Sequence, residues 1–366
     1  MEIIVHKGAL VKALSSVGNV ASQKANTLPI LSNVLFETTK EEGLRLVGTD
    51  LEVGVSTTIP ITITKHGSIT IPAKKLSEII RELPDGEVEI SVKKNNAVNI
   101  KSDKAYFKIM GLSVDDYPKL PEFNLEDAVE LDQAVLKEGL SLTAFAISYD
   151  ETRYVLNGVL LSVKGNKLRL VATDGRRLAF VEKDFKNKKE KNFEIIIPSK
   201  AVQELIRILS WEGEVKIIPT KNQVVFYLGD SFICSRIIEG NFPNYEQVIP
   251  KESKITTSTD REELLQAVKR TALLTSPDSP AIKIDFVKGK ILISSRSPNL
   301  GEAHEEIDAE IDGEDIAIGF NPYYIIDVLK NLDVEKVSLS LTEPDKPGLL
   351  KGKEGYLYVI MPMQIS

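Results

Sequence analysis

The chain has 366 residues, of which 42% are apolar and 27% charged, with a formal net charge of −7. That length exceeds one ordinary domain and points to two or three units, each able to bury a core, and no run approaches the about 18 apolar residues of a membrane-spanning helix. The acidic balance argues against tight phosphate binding through surface cations, which is how most nucleic-acid binders gain affinity.

Taken in chain order, Met1–Lys7 reads as a short strand, without the charged-then-apolar layout of a secretory signal, so a soluble cytoplasmic protein is expected. Leu10, Leu14 and Val17 recur at helical spacing, and Leu44-Arg-Leu-Val-Gly-Thr-Asp50 alternates as a strand that ends in a turn. Pro72 to Leu83 forms an amphipathic helix behind a proline, whose missing N–H costs nothing in the first turn. The strand Val88-Glu-Ile90 follows, then Tyr106 opening a later strand, and Pro118-Lys-Leu-Pro121 closes the series.

The series then repeats. Leu136, Leu140 and Phe145 give the next helix, Leu168-Arg-Leu-Val-Ala-Thr-Asp174 the Thr-Asp strand, Pro198 to Leu209 the proline-led helix, Val215-Lys-Ile217 the strand and Phe232 the aromatic, ending near Pro250-Lys-Glu-Ser253. A third round runs through Leu264, Val268 and Ala272, then Ile291–Arg296, Pro322–Leu332, Val337–Leu339 and Tyr356. The three prolines are 126 and 124 residues apart, and each aromatic stands 34 residues beyond its proline. A fixed period identifies three copies of one unit. Short turns such as Lys164-Gly-Asn166 and Lys288-Gly289 make the strands antiparallel hairpins, so the class is α+β with helices on one face of the sheets. The copies are expected at 1–121, 122–250 and 251–366. Hairpin sheets leave open edges, which a head-to-tail ring of two chains would close.

Candidate chemistry is sparse. Asp50 and Asp174 stand alone at strand ends, where an aspartate caps turn amides; a metal hydrolase using either one is the competing reading. Asp308-Ala-Glu-Ile-Asp312-Gly313 begins like a calcium loop, but its twelfth position is Gly319, and Ile316 and Ile318 suit a strand. Gly348-Leu-Leu-Lys-Gly352-Lys353 is one residue short of a phosphate loop and is expected to be a hairpin turn. Cys234, the one cysteine, sits in a strand pattern as a buried inert thiol, which excludes an internal disulfide or thiolate metal cage. Only His6, His66 and His304 are available as imidazole ligands. The basic residues of the helices are interleaved with Glu78, Glu82, Glu138, Glu204, Glu262 and Glu263, a mixed-charge face. Tyr356-Leu-Tyr-Val-Ile-Met-Pro-Met363 reads either as a core strand or as an adaptable methionine-rich surface for partner peptides, alone as a protein–protein scaffold or in a larger assembly.

Leu28-Pro-Ile-Leu-Ser-Asn-Val-Leu35, Gly48-Thr-Asp-Leu-Glu-Val-Gly54, Arg153-Tyr-Val-Leu-Asn-Gly158, Ala172-Thr-Asp-Gly-Arg-Arg-Leu178, Glu239-Gly-Asn-Phe-Pro-Asn-Tyr245 and Met361-Pro-Met363 carry a resemblance. Over its full length the sequence is similar to the bacterial DNA polymerase III beta subunit, a sliding clamp.

The resemblance implies a non-catalytic processivity factor that needs no cofactor and no metal. It implies three tandem clamp units with antiparallel sheets outside and two helices each on the inner face, and a head-to-tail homodimer forming a six-unit ring around duplex DNA. Partners implied are the catalytic subunit of the replicative polymerase, the clamp loader and other proteins carrying the clamp-binding motif. A peptide pocket between the second and third copies maps to Arg153, Val155, Leu156, Thr173, Gly175, Arg177, Leu178, Pro243, Val248, Met361, Pro362 and Met363. DNA contact maps to Lys24, Tyr154, Lys200 and Arg207, and the dimer contact to Phe107 against Leu273 and Leu274. Gln364, Asp150-Glu151 and Ala25-Asn26 depart from the family pattern in ways that remove positive charge or add negative charge, which bears on the strength of DNA contact and leaves the pocket untouched. A ring held by topology needs no tight contact.

Overall fold

The computed structural model describes residues 1–21, 28–41, 43–188, 190–276 and 280–364. The six helices expected from periodicity are present: α1 (Lys7–Ala21), α2 (Ala73–Glu82), α3 (Gln133–Ser141), α4 (Ser199–Ile208), α5 (Arg261–Ala272) and α6 (Pro322–Asn331). Each buries the apolar stripe read from its sequence, such as Leu10, Leu14 and Val17 in α1 and Leu264 and Val268 in α5. α3 stops short of Phe145, which lies in a separate 3-10 turn, Ala144–Ala146; Thr143 just before it donates its hydroxyl to the Gly139 carbonyl at 2.8 Å. None of the described helices is long and apolar enough to cross a membrane.

Every described strand pairing is antiparallel, as the short turns imply. The packing divides the chain into two compact units where the sequence shows three copies. Unit 1 is Met1–Ala134 with Arg207–Ile237, and unit 2 is Val135–Ile206 with Ile238–Ser366. Strand pairing explains the division. In unit 1, Ser231–Arg236 of the second copy pairs with Val53–Pro60 of the first, extending one sheet to eight strands. In unit 2, Arg177–Asp184 of the second copy pairs with Tyr356–Ile360 of the third, within a nine-stranded sheet. The middle copy is thus shared between two sheets. Each unit also holds a smaller sheet: five strands in unit 1, with Ala105–Met110 at one edge, and four in unit 2, with Gly301–Asp308 at one edge.

Three local expectations change. Gly348–Lys351 is a strand with Leu349 and Leu350 buried, and the turn falls at 352–355 instead. Tyr356 is displaced by one position from its counterpart Phe232. Val225 pairs with Cys234 but Leu349 pairs with Val359, so the third copy's hairpin holds one more residue. The Tyr356–Met363 run is a core strand over Tyr356–Ile360, with Tyr356, Tyr358, Val359 and Ile360 buried, and Met361 beyond it is exposed. Ile316–Phe320 is a strand, as expected, and Cys234 is buried, its thiol pushed up to about 11 by loss of solvent.

Candidate peptide-binding site

The site is built within unit 2 on the hairpin Lys167–Thr173 and Arg177–Asp184. Its turn is held by the sequence Thr-Asp-Gly. Thr173 Oγ1 donates to the Arg177 carbonyl at 2.6 Å and accepts from Gly175 N at 3.0 Å. Asp174 Oδ1 accepts from the amides of Arg176 and Arg177 at 2.9 and 3.0 Å, and its Oδ2 from Arg177 Nε at 3.0 Å. With both oxygens committed, this carboxylate is a turn cap and not a catalytic or metal-binding group. Asp50 caps its own turn in the same way, accepting from Glu52 N at 3.0 Å and Val53 N at 2.8 Å. Gly175 has φ +86°, a conformation that favours glycine, and a Cβ there would stand 2.8 Å from Arg153 Nη1, so a larger residue would have to displace that side chain.

Arg177 is the most enclosed cation of the site, its side chain 10% exposed. Besides Asp174 it meets Asp327 Oδ2 at 2.7 Å and the Phe145 carbonyl at 2.6 Å, and its guanidinium lies 4.5 Å from the Tyr324 ring centroid. Burial works against its charge, but Tyr358, Asp327 and Asp174 outweigh that cost and hold its pKa above the ordinary arginine value. Asp327, Phe145 and Tyr324 were not identified from sequence. Asp327 lies 150 residues from Arg177, and the one available signal was an isolated acid among the apolar residues of α6.

The floor is apolar. Leu178 is buried with Leu160, Val171, Ile196, Leu349 and Val359, and Val155, Phe180, Phe242 and Tyr245 pack against this cluster half-buried. The third copy enters through the pairs Leu178 with Val359 and Arg177 with Ile360, and Met361 N then donates to the Arg176 carbonyl at 2.9 Å. Around the floor, Val248 is 46% and Met361 40% exposed, with Pro243 also exposed. Arg153 lies on the distorted 3-10 turn Glu151–Leu156, whose last residue, Leu156, is buried. Pro362 and Met363 line a depression of about 400 Å³ with Ile318, Gly319, Pro344 and Asp345, which shares no residue with that floor, and Met363 N donates to the Gly319 carbonyl at 2.8 Å. An apolar floor, exposed rim side chains, the anchored Arg177 and the exposed Arg153 suit an extended peptide with apolar anchors.

The other expected positions are less concentrated. Lys24 lies outside the described residues. In unit 2, Tyr154 is 57% exposed, while Lys200 is half-buried at the start of α4, where loss of solvent lowers its pKa despite Glu204. In unit 1, Arg207 donates to the carbonyls of Ser15 and Ser16. Phe107 is exposed on the edge strand Ala105–Met110, and after α5 Leu273 is 76% exposed with Leu274 half-buried.

Three family models match in order: the N-terminal, central and C-terminal domains of the DNA polymerase III beta subunit, at residues 1–121, 130–244 and 246–364. The chain belongs to this beta subunit family. A beta sliding clamp of Pseudomonas putida is 34% identical over 370 residues, covering the whole of both chains. Among solved structures, a sliding clamp of Pseudomonas aeruginosa bound to griselimycin is 33% identical with a TM-score of 0.94, and one of Bacillus subtilis 32% identical with a TM-score of 0.94, both covering each chain fully. The chain has the three-domain sliding-clamp fold, and as a member of the clamp family it is a non-catalytic processivity factor of DNA replication.

Proposed function

We propose that the clamp works as a head-to-tail homodimer, a six-unit ring around duplex DNA, with the units at 1–121, 122–250 and 251–366. The irregular segments 113–124 and 237–254 support those boundaries, since neither holds more than one 3-10 turn. In this reading Phe107 of one subunit meets Leu273 and Leu274 of the other; apolar side chains exposed beside open sheet edges favour such a contact. Tyr154, Lys200, Arg207 and Lys24 touch DNA weakly and without base readout, at roughly the 10⁻⁴–10⁻⁶ M of non-specific binding. Weak contact suits an acidic protein retained by topology. The setting is the bacterial cytoplasm, where the clamp loader opens the ring.

The single observation that carries the partner-binding reading is the pairing of Leu178 with Val359, which joins the second and third copies under an exposed apolar rim. Arg153, Val155, Leu156, Thr173, Gly175, Arg177, Leu178, Pro243, Val248, Met361, Pro362 and Met363 form the pocket for the anchor residues of polymerase and loader peptides. Griselimycin, bound in the Pseudomonas aeruginosa clamp, is the convenient probe. Leu178→Asp is expected to weaken it at least about tenfold while native mass spectrometry still finds a dimer, since a charge in an apolar anchor pocket removes a hot spot. Unchanged affinity contradicts the pocket, and a persistent wild-type monomer contradicts the ring. Protein assembled on nicked circular DNA should leave when the circle is linearised; retention on linear DNA contradicts topological tethering.

A further inference from the structure

Strand register allows the large sheets of the two units to be compared residue by residue. In unit 2, Leu160 pairs with Val171, Thr173 with Leu178, Leu178 with Val359, and Val359 with Leu349. In unit 1 the same ladder reads Leu35 with Val47, Thr49 with Gly54, Gly54 with Cys234, and Cys234 with Val225. Three of these six positions are identical, and Val359 and Leu349 are matched by the smaller Cys234 and Val225. At the sixth, Leu178 is matched by Gly54.

The space above Gly54 is filled from elsewhere. A Cβ at that glycine would stand 2.4 Å from Leu120 Cδ2 and 2.8 Å from Cys234 Sγ, distances that real atoms do not adopt. Leu120 belongs to the segment 113–124 and packs, with Phe123, on the cluster of Ala128, Ile218, Val225 and Cys234. That segment is fastened on both sides of Leu120. The buried Tyr117 hydroxyl donates to the carbonyls of Val47 at 2.9 Å and Asn33 at 3.2 Å, and the Phe123 ring meets Phe232 edge-on with centroids 5.0 Å apart. The neighbouring wall is polar where unit 2 has Phe180, because its counterpart Ser56 accepts from Arg45 Nε at 3.3 Å. In unit 2 the leucine comes from the strand itself, and the rim above it stays exposed.

We propose that Leu120 is an internal plug: it occupies the first-copy counterpart of the peptide pocket, so that each chain offers one peptide site instead of two. This rests on the reading of the unit 2 site as the pocket. The plug covers the only thiol in the chain, so iodoacetamide labelling of Cys234 reports directly whether it is seated.

Wild-type labelling is expected to be slow, and Leu120→Gly to speed it at least about tenfold, because an uncovered thiol regains both access and its ordinary acidity. Gly54→Leu combined with Leu120→Gly returns a leucine to the same space from the strand and should restore slow labelling. Fast labelling in that swap as well would mean general loosening and would overturn the plug. Griselimycin counted by native mass spectrometry should give one per wild-type chain, none for Leu178→Asp, and one again, weaker, for Leu178→Asp combined with Leu120→Gly. That last molecule should protect Cys234 from labelling. Labelling of Leu120→Gly at the wild-type rate, or no griselimycin on the double variant, overturns the inference. Insensitivity of the wild-type stoichiometry to Leu178→Asp would instead remove the unit 2 pocket, so the two failures are distinguishable.

Discussion

The turns Thr49–Val53 and Thr173–Arg177 share one backbone design and differ in everything the design presents. In both, the aspartate caps the two amides that follow, and the threonine hydroxyl bridges to the carbonyl four residues on and the amide two residues on. The contrast is in the remaining positions. Leu51, at φ +78°, stands where unit 2 has Gly175 at φ +86°, buried Val53 where it has Arg177, and Gly54 where it has Leu178. The Thr-Asp turn is therefore shared scaffold, and the two units differ at all four positions that follow it, Glu52 standing where unit 2 has Arg176. A motif repeated in a sequence marks shared folding before it marks shared chemistry.

The largest expected effect separates the arginine from the valine. Arg177→Ala removes a buried cation from Asp174 and Asp327 and should cost about 3 kcal/mol in denaturant unfolding, together with griselimycin affinity. Val53→Ala should cost roughly 2 kcal/mol by lost burial and leave that affinity unchanged. Equal effects on binding would erase the distinction between the turns.

Next in size are the paired leucine and glycine. Leu178→Ala is expected to cost about 3 kcal/mol through the cavity it leaves. Gly54→Ala should cost about 2 kcal/mol for the opposite reason, overcrowding. Adding Leu120→Ala to Gly54→Ala should recover part of that loss, a coupling that a double-mutant cycle reads directly. Strict additivity would mean that the two residues do not compete for one space.

Smaller again is the difference between the caps. Asp50→Ala should cost about 1 kcal/mol and Asp174→Ala about 2 kcal/mol, the excess coming from the hydrogen bond that the buried Arg177 Nε loses. The smallest effect concerns backbone strain. A leucine in the left-handed region is held at a cost of about 1 kcal/mol, so Leu51→Gly should leave stability unchanged or raise it by up to about 1 kcal/mol, whereas Gly175→Ala should lower stability by about 1 kcal/mol and displace Arg153.

The helices and most hairpins were legible in the sequence because local features specify them: a proline ahead of an apolar stripe, alternation broken by Lys-Gly, an aspartate after a strand. Gly348–Lys351 reads as a turn because Gly348, Lys351 and the following Gly352 imitate one, while the burial of Leu349 and Leu350 marks it as a strand. What stayed hidden was long-range. Which edge the strand Ser231–Arg236 would join is settled by a partner more than 170 residues away, so three copies in sequence became two packed units in space. The same distance concealed Asp327 behind Arg177. Several of the expected pocket positions lie on short segments that strand pairing and packing bring together, among them Leu178 and Val155. The positions expected to touch DNA follow no period, since surface cations and a lone tyrosine leave no repeating pattern.

Hydrogen exchange with and without griselimycin tests the central claim most directly, because it reports on both turns in one experiment. The account predicts added protection at 153–156, 173–178 and 359–363, with none at 47–54 or 114–123. Equal protection of the Thr49–Val53 turn, or protection confined to it, would contradict the assignment of the peptide site to the second and third copies.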